Sequence, residues 1–247
     1  GGIGTRYKEA NAAMLIQNCK IYNNEAVSAA GATVNAGTTM VNTLVYGIKM
    51  TGSNGEAAVS FGNNDKMATM LNCTVWGNIA AEGVEVNVSI TDANGSNQTI
   101  TNCIMETIGT LSKGQFTYNA SSSDNLTVSA ENHNVTLESS PFEADSYELV
   151  AKINDKTNPC INGGSNAAYT ETYPKTDLAG KTRIQGFTAP QEVATIDIGA
   201  FEFVKVTEPV KDSDGLADAV KGNEPEIVLS GYVELGEETL TVSATTV

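Results

Sequence analysis

The stretch Ile16-Gln17-Asn18-Cys19-Lys20-Ile21 recurs as Met40-Val41-Asn42-Thr43-Leu44-Val45, as Met70-Leu71-Asn72-Cys73-Thr74-Val75, and as Ile100-Thr101-Asn102-Cys103-Ile104-Met105. The Asn positions are 24, 30 and 30 residues apart. That is a solenoid period, long enough for about three short strands and their corners. In each copy an apolar residue stands two before the Asn and another three after it. Strand side chains alternate between faces, and Asn tolerates left-handed backbone, so a bend at the Asn turns both apolar residues inward. Ile16, Cys19 and Ile21 then share an interior with Met40, Thr43 and Val45, with Met70, Cys73 and Val75, and with Ile100, Cys103 and Met105. Stacked Asn amides hydrogen-bond from copy to copy in such a row.

Working outward, residues 57–61, 84–90 and 116–118 are β-type runs that suit the other strands of each repeat. A weaker unit is expected at Asn125-Leu126-Thr127-Val128, after which the period fades. Composition fits short strands joined by tight corners. The chain has 23 Gly, only 17% of its residues are charged and only 6% are aromatic, so long amphipathic helices are not expected.

The net charge is −15, and only Arg6 and Arg183 supply guanidinium groups. Such a surface repels nucleic-acid phosphates and anionic membranes, leaving cations, neutral polymers and other proteins as partners. No apolar run reaches the length of a membrane span. No signal peptide is visible, and the start at Gly1-Gly2-Ile3-Gly4 reads as that of a fragment. Cys19, Cys73 and Cys103 fall in one interior column with Thr43. Cys73 and Cys103 would be about 4.8 Å apart on neighbouring strands, but parallel Cβ vectors suit a disulfide poorly, so buried free thiols are expected.

The Asn-Cys-x-Ile/Val units resemble those of pectate-lyase-like right-handed parallel β-helix proteins. Three later stretches sharpen the resemblance: Asn158-Pro159-Cys160-Ile161-Asn162-Gly163-Gly164-Ser165-Asn166, Asp177-Leu178-Ala179-Gly180-Lys181-Thr182-Arg183-Ile184 and Ile196-Asp197-Ile198-Gly199-Ala200-Phe201-Glu202. Together they are similar to the C-terminal closing segment of bacterial surface β-helix proteins of the choice-of-anchor Q type. The resemblance spans residues 1–203. It implies an all-β right-handed parallel β-helix with an irregular closing segment, located outside the cell or on its surface. It implies no single activity, because the scaffold hosts lyases, hydrolases and adhesins alike. Within the closing segment Arg183 is expected to pair with Asp197, and Phe201 and Phe203 to cover the open end of the core.

After residue 203 the pattern changes. Residues 204–213 read as a linker. Residues 214–221 read as a short helix, 226–235 as a strand pair and 240–247 as a further strand. The 214–247 region resembles the N-terminal cap of a second β-helix, or serves as an assembly tail for head-to-tail self-association.

Catalytic chemistry leaves little trace. A lyase needs clustered carboxylates, a cation and a basic proton acceptor, and a glycosidase needs two carboxylates facing one groove. Glu82 and Glu85 lie close in sequence, and Glu106 sits on the recurring strand, but no acidic set converges. His133 reads as a surface-loop residue. Asp212, Asp214 and Asp218, and Asn63-Asn64-Asp65, match no calcium-loop motif, so no cofactor is expected, although an acidic β-helix is compatible with calcium. One surface feature recurs. Tyr22, Tyr46, Trp76 and Glu106 each stand four residues after a corner Asn. Tyr22, Tyr46 and Trp76 are therefore expected to form an outward aromatic stripe suited to a sugar ring or a protein partner, unless a loop covers them or they pack as an outer ladder. The expected function is a non-catalytic extracellular module with an adhesin, glycan-binding or spacer role. The alternatives are a polysaccharide lyase whose groove lies elsewhere and a subunit of a head-to-tail polymer.

Overall fold

The structure is a computed structural model, and it describes residues 2–4, 14–27, 31–34, 37–51, 57–61, 67–79, 88–90, 98–109, 114–184 and 194–204. Gly1–Ile184 and Thr195–Phe203 form one compact unit. The linker expected at 204–213 lies outside the described residues save for Val204, and the helix and strands expected at 214–247 lie wholly outside them.

The fold is all-β. The first repeat carries β1 (Ile3–Gly4), β2 (Met14–Gln17), β3 (Lys20–Tyr22) and β4 (Glu25–Ala26). The second carries β5 (Ala32–Val34), β6 (Thr38–Val41), β7 (Leu44–Tyr46) and β8 (Lys49–Met50). The third has β9 (Val59–Phe61), β10 (Ala68–Leu71) and β11 (Thr74–Val75), and the fourth has β12 (Val88–Ile90), β13 (Gln98–Thr101) and β14 (Ile104–Met105). Then follow β15 (Gln115–Thr117), β16 (Ala120–Ser121) and β17 (Val135–Thr136). Strands of like position join in three sheets, ordered β1-β5-β9-β12, β2-β6-β10-β13-β15 and β3-β7-β11-β14-β16-β17. Every pair in these sheets is parallel. The register stacks like on like: Ile16 opposes Met40, Met40 opposes Met70, and Met70 opposes Ile100.

Between the second and third sheets the chain turns through left-handed residues. Asn18, Asn42, Asn72 and Asn102 have φ of 53°, 51°, 46° and 55°, as the repeat predicts. The register then places Tyr118 (φ 57°) opposite Asn102 and His133 (φ 54°) opposite Tyr118. This corrects the expected weaker unit at 125–128. The pattern continues at two further corners, but the spacing drops to 16 and then 15 residues. The corner residue is no longer Asn: His is, like Asn, among the side chains enriched in this region of backbone space, whereas Tyr is uncommon there. The two rings stack on each other, with centroids 4.5 Å apart. His133 is exposed there.

The core lies between the sheets. Met40, Met70 and Ile100 form one buried column, and Val45, Val75 and Met105 another. All four cysteines are free thiols. Cys73 and Cys103 are buried, and their Sγ–H groups donate to the carbonyls of Leu71 and Thr101, each at 3.2 Å. Cys19, on the first repeat, is only partly buried. Beyond Cys103 the same column turns polar. Asn119 Oδ1 accepts from the Cys103 N–H, and Asn134 Oδ1 from the Asn119 N–H, both at 2.9 Å. A buried amide is tolerated here because it caps backbone groups that would otherwise lack partners.

Residues 158–184 and 195–203 lie against the outer flanks of the corner row. On one side Val41 and Leu71 pack with Tyr169 and Ile196. On the other, Leu44 packs with Ala200 and Phe201, and Ile104 and Ala120 with Cys160 and Ile198. Phe203 joins this last cluster. The closing segment thus runs alongside the corners, with Phe201 on the second repeat, instead of placing both rings across an open end as expected. The reason is visible in the strands. Leu44, Thr74, Ile104 and Ala120 are aligned outward-facing positions, and all are buried. That apolar column draws cover to the side of the sheet.

Candidate functional site

The closing segment carries a buried charged cluster. Arg183, Asp177, Asp197 and Glu202 are each at most 4% exposed. Arg183 Nη1 donates to Glu202 Oε1 at 2.6 Å, and Nη2 donates to Asn42 Oδ1. The pairing expected between Arg183 and Asp197 is therefore replaced by Arg183 with Glu202. Asp197 instead accepts the backbone N–H groups of Asn162 and Phe203, each at 2.6 Å. Asp177 accepts from the N–H of Ala179 and Lys181 at 2.8 Å, closing a turn, and from the N–H of Glu202 at 2.8 Å. Burial pushes the Glu202 carboxyl up to about 8, and the Asp197 charge adds to this while Arg183 opposes it. Burial also raises Asp197 to about 6 against its backbone donors. Three carboxylates face one guanidinium, so retaining a proton brings the cluster nearer to neutrality.

The corner amides tie this cluster to the repeats. Asn72 Nδ2 donates to the carbonyl of Asp197 at 2.9 Å, Asn102 Nδ2 to Asn72 Oδ1 at 3.0 Å, and Asn42 Nδ2 to the carbonyl of Thr176 at 2.9 Å. Gly199 (φ 105°) comes so close that a Cβ there would sit 2.7 Å from Ile104 Cδ1. Asp177, Asp197 and Glu202 therefore spend their carboxyl groups on backbone N–H groups and Arg183, while Asn162 Oδ1 and Arg183 Nε are buried without a hydrogen-bond partner.

The three aromatic residues expected as a stripe are joined through rings from a distant loop. Tyr22 and Tyr46 stack with centroids 5.1 Å apart and planes 9° apart. Tyr46 does not reach Trp76. It meets Tyr147 at 5.0 Å, Tyr147 meets Phe142 at 5.6 Å, and Phe142 meets Trp76 edge-on at 5.3 Å. Gly77 (φ 66°) makes room for the Tyr147 hydroxyl, which would lie 2.8 Å from a Cβ at that position. Burial raises the Tyr147 pKa, and Tyr46 and Glu106 add to the shift, so its hydroxyl keeps its proton. Glu106, half-buried on this surface, accepts the Gly77 N–H at 2.9 Å.

Beside Tyr46 opens a groove of about 300 Å³. Tyr46, Tyr147 and Phe201 supply its aromatic surface, and Lys20, Asp145 and Glu148 its charges. Lys20 Nζ lies 5.8 Å from the Phe201 ring centroid, and Glu148 is held by Lys181 at 2.8 Å. Rings for the C–H faces of a sugar and polar groups for its hydroxyls suit a carbohydrate. Of these residues the repeat pattern indicated Tyr46 alone. The contribution of residues 145–148 and Phe201 was missed, and the apolar outward position Leu44 was the signal that something packs there.

Glu82, Glu85, Arg6, Asn63-Asn64-Asp65 and Asp212, Asp214 and Asp218 lie outside the described residues. Among the described residues no three His, Cys, Asp or Glu side chains group to hold a metal ion. Compared with known proteins, the chain matches no family model, no curated protein and no solved structure.

Proposed function

We propose that the repeats wind as a right-handed parallel β-helix of the choice-of-anchor Q kind, acting as a non-catalytic module outside a bacterial cell or on its surface. The parallel, like-on-like register and the left-handed corner row support the winding. On this reading the module binds glycan in the groove beside Tyr46. Tyr22 and Tyr46 contact the ligand, and Trp76 buttresses the groove through Phe142. The observation that carries the reading is the meeting of Tyr46, Tyr147 and Phe201 with Lys20 in one groove. The buried acids support a structural role for the closing segment, because Asp177, Asp197 and Glu202 are committed to backbone N–H groups and Arg183.

Glycan-array screening followed by calorimetry tests the proposal. A ligand bound by the native chain should lose at least tenfold in affinity with Tyr46→Ala, while the melting transition stays cooperative. Absence of any glycan that Tyr46→Ala weakens overturns the glycan role. Release of unsaturated products from an acidic polysaccharide with calcium would replace it with a lyase.

A further inference from the structure

We propose that a second pocket, on the flank of the corner row where Tyr169 packs, binds one uncharged sugar unit, with buried Arg183 supplying a hydrogen bond from its Nε–H. The proposal rests on the glycan reading for its ligand class and shares no residue with the groove beside Tyr46.

Local chain geometry builds this pocket. A short 3-10 turn at Asn166–Ala168 leads into Tyr169, whose N–H closes on the Asn166 carbonyl at 3.1 Å. The Tyr169 ring packs with Val41 and Leu71, and its hydroxyl donates to the Pro174 carbonyl at 2.6 Å. The Tyr173 N–H turns back onto the Thr170 carbonyl at 3.0 Å. The two tyrosine rings therefore meet, with centroids 5.5 Å and planes 54° apart. The Arg183 N–H bonds to the Lys175 carbonyl at 2.9 Å, which brings Arg183 alongside them. The space they leave is about 260 Å³, and its walls include Tyr169, Tyr173, Glu171, Lys175, Thr182 and Arg183. One observation points to a ligand. Arg183 is 1% exposed, and its Nη1 and Nη2 groups donate to Glu202 and Asn42, neither of which lines the pocket. Its Nε is buried with no hydrogen-bond partner. With both Nη groups turned toward residues outside the pocket, the Nε–H is the donor left on the pocket side. A buried donor without a partner bears its full desolvation cost, so an acceptor there is stabilising. A ligand oxygen, or a water that it orders, supplies one.

The surroundings select the charge of the ligand. Asp177, Asp197 and Glu202 share the buried cluster with Arg183, so an anionic group brought to the guanidinium would meet three carboxyl groups. At the rim, Glu171 and Lys175 are exposed and opposite in charge, and neither is in an ion pair among the described residues. A sugar hydroxyl can donate to Glu171 and accept from Lys175. The two tilted tyrosine rings offer faces for its C–H groups. A volume near the lower end of small-ligand sites, which run from about 300 to 1,000 Å³, suits a single sugar unit.

Nuclear magnetic resonance of the arginine Nε–H groups in the full chain tests this. The sequence holds only Arg6 and Arg183, so Arg6→Lys leaves a single Nε–H signal, that of Arg183. The probes are glucose, galactose, mannose, N-acetylglucosamine, lactose and cellobiose. At least one should shift that signal saturably. Glucuronic and galacturonic acids should bind at least tenfold more weakly than the best neutral sugar. Tyr173→Ala should weaken the best sugar at least tenfold while melting stays cooperative. If that variant loses cooperative melting, Thr182→Lys, at an exposed position on the rim, blocks the pocket in its place. Tyr46→Ala should leave the shift unchanged. A signal that no neutral sugar moves overturns the proposal, as does a shift that survives blocking the pocket, or an acidic sugar that binds as tightly as the neutral one. A shift lost in Tyr46→Ala but kept in Tyr173→Ala also overturns it, and leaves the glycan reading of the other groove standing.

Discussion

Arg183 and Glu202 form a salt bridge of 2.6 Å with side chains 1% and 0% exposed. The pair sits where the closing segment meets the corner amide of Asn42. Arg183→Met would leave Asp177, Asp197 and Glu202 without their cation. At neutral pH the raised Glu202 carboxyl keeps its proton, so what is lost is a buried hydrogen bond to a charged donor, which costs about 1.5–3 kcal/mol. Urea unfolding at neutral pH should show a loss of that order, and the double variant Arg183→Met/Glu202→Leu should recover part of it. A loss below about 1 kcal/mol, the usual worth of an exposed pair, would show that the cluster is not desolvated in solution.

The same cluster sets a pH dependence. Burial raises Glu202 from an ordinary 4.5 to about 8, and Asp197 from 3.8 to about 6. Folded-state values above unfolded ones mean that the fold holds protons the unfolded chain has released. Their contribution to stability is complete below about 4 and is lost as pH rises through about 6 and then about 8. The melting temperature should therefore fall between pH 5 and pH 9. Glu202→Gln should flatten the upper part of that fall. A melting temperature that climbs across this range would contradict the burial of both acids.

Asn72 joins two demands at one position, a left-handed backbone and amide bonds to Asp197 and Asn102. Asn72→Gly keeps the backbone and loses the amide, costing about 1–3 kcal/mol. Asn72→Ala adds about 1–2 kcal/mol of backbone strain. Asn18→Gly, at the exposed end of the row, should cost least. Equilibrium unfolding should rank the three with Asn72→Ala worst and Asn18→Gly mildest.

The thiols should separate by burial. Burial raises Cys103 and Cys160 well above the ordinary thiol range, and both stay protonated. Alkylation of the folded chain, read by mass spectrometry, should mark Cys19 first. Cys73, Cys103 and Cys160 should be marked only after denaturation, because the thiolate is the reactive form. Rapid labelling of Cys73 in the folded chain would mean that the repeat interior is open.

The corners at Asn18, Asn42, Asn72 and Asn102 were legible because few side chains tolerate left-handed backbone, and a residue chosen for that reason repeats visibly. The Cys and Met columns were legible because strand alternation has a period of two. The corners at Tyr118 and His133 were not, since their conformation is held by ring stacking and by buried Asn119 and Asn134 rather than by a corner Asn. The aromatic positions Tyr22, Tyr46 and Trp76 were legible, but not the rings that join them.

Local backbone preference and side-chain periodicity, both written within a few residues, determined from the sequence alone that this chain repeats a strand–corner–strand unit and which residues line its interior. Only the tertiary structure decided that Arg183 takes Glu202 over Asp197, that Phe142 and Tyr147 stand between Tyr46 and Trp76, and that Phe201 completes a groove with Lys20. Those choices depend on which distant segment covers the apolar outward column at Leu44, Thr74 and Ile104. Such contacts are set by burial and shape complementarity between parts of the chain far apart in sequence, and no local pattern encodes them.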